Sequence, residues 1–269
     1  MWTGVLGGTL GALSAENWIV VWMIMEINLM SFLPLISTHW SGKKICMLYF
    51  LVQSVGSLMV LRGGLISDDR SFLCKWPALG LLLKIRLAPL HFWGAALVPK
   101  LTNLTSFFFL TWQKIAPIFL FLISTPKIVV NTILILNIIV SSSCRIGSKN
   151  LYVLMFFSGL IHIRWMMRAP NTVACWYFML YAASSGPIFF AKTTLNLPIL
   201  ILNLAGLPPM TGFIMKLITL QVIGLGVGFL ILVFSSPILY AYIRVFLYND
   251  IVGTYKLTTL VVCRLGWAV

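Results

Sequence analysis

The sequence predicts an all-α polytopic membrane protein, one transmembrane domain over residues 1–269 with at least one broken helix. Three observations carry this. Mean hydropathy is +1.01, with 60% hydrophobic and 9% charged residues, whereas soluble domains carry about 25% charged residues. Long apolar runs alternate with short polar stretches, and at roughly 20 residues per span the length holds about ten or eleven helices. Inside several runs a lysine or glutamate stands close to a proline.

Taken in order, residues 2–15 form a short first span. They lack a basic n-region and so read as a helix and not as a cleaved signal. Gly4/Gly8 and Gly7/Gly11 stand four apart, a small-residue face suited to close helix packing or a reflection of low complexity. Residues 18–36 are a strong span carrying Glu26, followed by a basic loop with His39, Lys43 and Lys44. A third span runs through residues 49–61 with Gln53 and Ser54 on it, and residues 62–75 are the longest polar stretch. Residues 76–97 carry Lys84, Pro89 and His91; Lys84 and His91 would share a face of a regular helix, with Pro89 able to kink it.

Lys114 lies within the apolar run 107–123, and Pro117 cannot donate to the carbonyl of Gln113. The helix ladder is therefore open beside the ammonium. Residues 128–140 form an uncharged span, and residues 151–167 carry Ser158, His162 and Arg164. Residues 172–191 are a further span. Residues 195–222 hold Gly206-Leu-Pro-Pro209 in their interior, which predicts two half-helices around an unwound middle, with Lys216 on the second. A span at 229–248, interrupted by Pro237, is followed by a short apolar tail at 257–269 that reads as a truncated helix.

Alternating these spans collects Lys43, Lys44, Lys100, Arg145, Lys149, Lys192 and Lys256 on one side, which the positive-inside rule makes the inner face. The net charge of +14 is spread over loops with no basic face or arm. It fits anionic lipid and topology control, and no nucleic-acid partner is expected. Five cysteines without Cys-x-x-Cys spacing and three histidines offer no iron–sulfur or zinc pattern, and no phosphate-binding glycine loop is present. No cofactor or metal is expected on this chain.

The chemistry lies in the interior charges. A lysine at mid-depth costs roughly 2.5–3.5 kcal/mol even on the lenient insertion scale. Near a span end it snorkels to the headgroups, which competes most strongly at Lys84, two turns after Trp76-Pro77. Lys114, with apolar sequence on both sides, is the strongest candidate for a functional interior charge, followed by Lys216. Glu26, the acid deep in an apolar run, needs a cation, for which the lysines are the candidates. His162 reads either as a hydrogen-bonded packing residue or as a proton-relay member. Desolvation disfavours the charged form of a lysine and a nearby carboxylate favours it, so such residues can exchange protons as their neighbours change charge.

Four stretches resemble a known family: residues 22–34 around Glu-Ile-Asn-Leu-Met-Ser-Phe, Lys84 with Ala-Pro-Leu-His-Phe-Trp, Leu110-Thr-Trp-Gln-Lys-Ile-Ala-Pro117, and Gly206-Leu-Pro-Pro-Met-Thr-Gly-Phe-Ile-Met-Lys216. They look like NADH dehydrogenase subunit 2, a mitochondrially encoded, antiporter-like membrane-arm subunit of respiratory complex I. The resemblance implies an antiporter-like fold in the mitochondrial inner membrane, partnership with other complex I membrane subunits, and proton translocation coupled to quinone reduction elsewhere in the enzyme. By motif, Glu26, Lys84, Lys114 and Lys216 correspond to the family's charged axis, and His162 matches a family histidine more loosely. Arg86 and Arg164 stand where the family pattern leads one to expect glycine. Either the pathway is retuned here or those codons were read with the wrong genetic code. Two rival readings remain: a stand-alone proton/cation secondary antiporter, and a structural subunit whose charges only lock helices together.

Overall fold

The computed structural model describes residues 1–37, 42–65, 75–146, 150–190, 197–207 and 210–223, with isolated residues from 228 to 244. Among these, every regular element is helical. Spans expected beyond residue 228 fall largely or wholly outside the described residues, and the count of ten to eleven with them. Four helical stretches are long and apolar enough to cross a membrane: Trp18–Ser37, Lys43–Gly63, Asn103–Ser124 and Thr172–Phe190.

The first three helices, α1 (Trp2–Ser14), α2 (Trp18–Ser37) and α3 (Gly42–Leu65), pack in sequence against one another and then against α4 (Lys75–Ile85). Short connections make sequential helices neighbours. One face of α2 is buried through Val21, Met25, Leu29, Phe32 and Ile36, a helical spacing, while Ile19, Met23, Ile27 and Met30 are exposed apolar residues suited to lipid. Gly4, Gly8 and Gly11 are the α1 glycines that face α2. A Cβ on Gly8 would lie 3.0 Å from Asn28 and one on Gly11 3.3 Å from Ile24, whereas one on Gly7 would meet nothing. The expected small-residue face is real, but Gly7 is not part of it. Helix α3 begins earlier than the sequence suggested, so Lys43 and Lys44 are exposed in its first turn and not in a loop.

The span expected over residues 76–97 is broken. Helix α4 ends at Ile85, and α5 (Phe92–Leu97) restarts after a turn. Arg86 sits at the C-terminal cap with φ 67°, its amide and that of Leu87 both bonded to the Leu82 carbonyl. This left-handed cap position is one that glycine ordinarily fills. Because the helix stops there, Lys84 and His91 share no helical face; His91 is buried against the rings of Phe92 and Phe157.

The next span is also interrupted. Helix α6 (Asn103–Leu110) starts at Thr102, whose hydroxyl accepts from the Thr105 amide. It gives way to a 3-10 turn, Trp112–Lys114, and continues as α7 (Ile115–Ser124). Pro117 supplies no amide for the Gln113 carbonyl, and the tighter turn forms just ahead of that gap. Helices α8 (Lys127–Ile146), α9 (Leu151–Arg168) and α10 (Asn171–Phe190) follow. All residues from 154 to 167 on α9 are buried, which makes it the central helix. Asn137 of α8 ties it in place, donating to the Leu160 carbonyl at 2.8 Å and accepting from the Ala88 amide at 3.3 Å. Interhelical amide bonds of this kind satisfy backbone groups that no water reaches in the bilayer core. Finally, α11 (Leu197–Ala205) and α12 (Thr211–Ile223) are the two half-helices predicted from the sequence, parted at Gly206 with φ 74°. Pro208 and Pro209 lie outside the described residues.

Candidate functional site

The interior polar groups form a series through the bundle. Glu26 is half-buried on α2 and accepts a hydrogen bond from the Ser57 hydroxyl of α3. Lys84, in the last turn of α4, is 4% exposed, so it does not snorkel out of the protein. Its side chain packs at Gly56, where a Cβ would lie 3.1 Å from Lys84 Cγ, one residue from the Ser57 that bonds Glu26. A polar cleft lined by Asn28, Tyr49, Gln53, Lys84, Gln113 and Pro117 leads from this group towards the α6–α7 break. Across it, the Asn28 and Gln113 side-chain amides exchange two hydrogen bonds, at 3.3 and 3.2 Å.

Lys114 occupies the break itself. It is 2% exposed, and its ammonium has no protein hydrogen-bond partner among the described residues. The Nζ atom lies 6.0 Å from the Phe156 ring centre and close to Gly159 of α9. An interior ammonium without a bonded acceptor is costly to keep charged. Arg86 follows Lys84 by two residues, but its side chain reaches across to α6. The cap at residue 86 turns its side chain towards α6, where Nη1 donates to the Phe109 carbonyl at 2.7 Å and the guanidinium lies 3.6 Å from the Phe109 ring centre. Phe109 is in the last turn of α6, where carbonyls lose their helical donors. Arg164, also buried, donates to the Leu134 carbonyl at 3.0 Å. Both arginines are thus inside the protein and bound to backbone. Neither faces lipid, and neither lines a described polar cleft.

His162 lies one turn beyond Gly159 on α9. Its Nδ1 is 2.7 Å from the Tyr177 hydroxyl, and its ring centre is 4.9 Å from that of Tyr181. A second cleft joins His162, Tyr177, Tyr181 and Ser184 to Asn203, Thr211 and Gly212 at the α11–α12 break. Lys216 is half-buried beside that break, and its Nζ donates to the Ala205 carbonyl at the end of α11. The two breaks therefore share a device: a cation bonded to a carbonyl at the C-terminal end of the first half-helix, where the dipole favours positive charge.

All five residues singled out from the sequence are interior or half-buried, and two sub-groups form: Glu26 with Lys84, and Lys114 near the His162 cluster. No described contact pairs Glu26 with Lys114. The sequence reading missed Ser57, Asn28, Tyr177 and Tyr181. Ser57 stands four residues after Gln53, and Tyr177, Tyr181 and Ser184 recur at helical spacing, so a polar stripe was present in both spans.

Comparison with known proteins decides the family. The chain is 30% identical over 255 residues to NADH-ubiquinone oxidoreductase chain 2 of Aquarana catesbeiana, covering 80% of this chain and 74% of that one. It belongs to the NADH-ubiquinone oxidoreductase chain 2 family. The relative of the same name from Anopheles gambiae is 31% identical over 249 residues, with 80% and 73% covered. That from Papio hamadryas is 29% identical over 305 residues, with 97% and 86% covered. No family model matches the chain.

Solved structures agree on the fold of this NADH-ubiquinone oxidoreductase chain 2 family member. A chain of respiratory complex I from Thermus thermophilus superposes with TM-score 0.76 at 21% identity, over 88% of this chain and 66% of that one. A chain of the Mrp complex from Dietzia sp. gives 0.75 at 17% identity, over 90% and 58%. The chain spans less than two thirds of these solved chains. The resemblance read from the four sequence stretches, and the antiporter-like fold it implied, are borne out.

Proposed function

We propose that this chain is a proton-translocating membrane-arm subunit of NADH:ubiquinone oxidoreductase in the mitochondrial inner membrane. It works beside other complex I membrane subunits and in contact with anionic lipid, and it carries no redox chemistry of its own. Family membership supports the enzyme, and the animal relatives support a mitochondrial, multi-pass chain. The observation that carries the proton role is Lys114: a buried ammonium in a helix break, between a cleft that leads to Lys84 and a cluster that leads to His162.

In this reading Glu26 sets the charge state of Lys84, and the Asn28–Gln113 amide pair separates that group from Lys114. Lys114 holds or releases its proton as neighbouring charge changes. His162 and the second cleft carry it towards Lys216. None of these steps requires a nucleophile or an electron carrier on this chain. The redox reaction elsewhere in the enzyme supplies the driving force.

Likeness to the Mrp chain favours a second reading, a stand-alone proton/cation antiporter, on fold alone. Blue-native electrophoresis separates the two. Migration only within a very large assembly that has NADH dehydrogenase activity is the expected outcome. A free monomer or dimer would favour the antiporter.

A further inference from the structure

The span that became α10 carries no charge, and the proton path above gives none of its side chains a role in the transfer itself. Two of its tyrosines nevertheless reach the central helix. A Cβ placed on Gly159 would lie 2.7 Å from the Tyr181 hydroxyl and 3.0 Å from the Lys114 ammonium. The two polar groups therefore converge, from α10 and from the α6–α7 break, on one notch in α9 that exists because residue 159 has no side chain. The Tyr181 ring then lies along the His162 ring, whose Nδ1 meets the Tyr177 hydroxyl. The same tyrosine lines the cleft that opens towards Asn203 and Thr211. It touches the surroundings of both titratable groups.

We propose that the Tyr181 hydroxyl is the relay between Lys114 and His162, and that Gly159 keeps the passage open. A hydroxyl suits this position because it both accepts and donates. A water in the notch bridges the two groups: the Lys114 Nζ–H bond breaks as that water takes the proton and passes one of its own to the Tyr181 oxygen, and the hydroxyl's own proton leaves towards the His162 imidazole. Tyrosine is neutral before and after, lysine ends neutral, and histidine ends as imidazolium. Return of the tyrosine proton to its starting side needs only rotation about the C–O bond. Tyr177 fixes the imidazole's orientation through Nδ1. This inference rests on the proton role of Lys114 and adds the group that receives its proton.

The test uses the assembled enzyme in sealed vesicles and reads the proton-to-electron ratio together with the solvent deuterium isotope effect on NADH oxidation. Tyr181→Phe removes the hydroxyl and keeps the ring on His162. The expected result is normal assembly, a lowered ratio and a larger isotope effect. Gly159→Ala places a methyl group between hydroxyl and ammonium and is expected to do the same. Lys114→Met is run alongside. If Lys114→Met lowers the ratio while both other variants keep it, the relay is overturned and the Lys114 reading stands. If Lys114→Met also keeps it, the proton role itself is wrong. Should Tyr181→Phe not assemble, Gly159→Ala decides by the same criterion.

Discussion

Replacing Gly206 with alanine probes the helix break that holds Lys216. Residue 206 has φ 74°, and a Cβ there would lie 2.8 Å from Nζ, 3.0 Å from Cε and 3.1 Å from Cδ of Lys216. Two costs follow. A left-handed non-glycine residue costs roughly 1–2 kcal/mol. Displacing the Lys216 side chain also breaks its charge-assisted bond to the Ala205 carbonyl, worth about 1.5–3 kcal/mol. Together they reach roughly 2.5–5 kcal/mol of local stability. Hydrogen–deuterium exchange at the amides of residues 202–207 and 210–213 in the detergent-solubilised complex reads local opening directly. In the wild-type background Gly206→Ala is expected to speed exchange by roughly sixtyfold or more, since each 1.4 kcal/mol is about tenfold. In a Lys216→Met background only the backbone cost remains, and the factor falls to about 5–30. Equal factors in the two backgrounds would show that Lys216 is not seated on the break. No acceleration in either would refute the left-handed turn.

The other predictions concern interior charge. Glu26→Gln keeps shape and the Ser57 contact but removes the charge near Lys84; the complex should assemble while proton pumping in reconstituted vesicles falls, and normal pumping would end the role of Glu26. Peptide mass spectrometry over residues 85–100 and 151–168 tests the two arginines. Arginine is expected at both positions, since both guanidinium groups donate to backbone carbonyls; glycine at 86, which the left-handed cap favours, would show that the codon was read with the wrong genetic code. Lys114→Arg keeps a charge that cannot be released and should impair pumping as severely as loss of the lysine.

Much of the fold and the outer features of the site were legible in the sequence. Apolar runs located most spans because the bilayer requires about 20 apolar residues per helix. The run 204–209 located a break because Gly206 and two prolines remove regularity over several residues. By contrast, the break after Ile85 was signalled only as a kink at Pro89, since the letter arginine gives no sign of a left-handed cap at 86. The partners of the charges were hidden as well. Ser57, Asn28, Tyr177 and Tyr181 are uncharged residues on apolar helices, and hydropathy hardly registers them. Only the crossing of α2, α3, α9 and α10 decides which of them meet Glu26, Gln113 and His162. Arg86 follows Lys84 by two residues, yet the turn after Ile85 points it at the Phe109 carbonyl of α6. Separation along the chain did not predict separation in space.

The central claim is that Lys114 carries protons, and Lys114→Met tests it most directly. Methionine keeps most of the volume and removes the titrating group, so the assembled complex is expected to form. The measurement is the proton-to-electron ratio during NADH oxidation in sealed vesicles. A steep fall in that ratio with normal assembly is the predicted result. An unchanged ratio in a fully assembled complex would contradict the account and return Lys114 to a structural role.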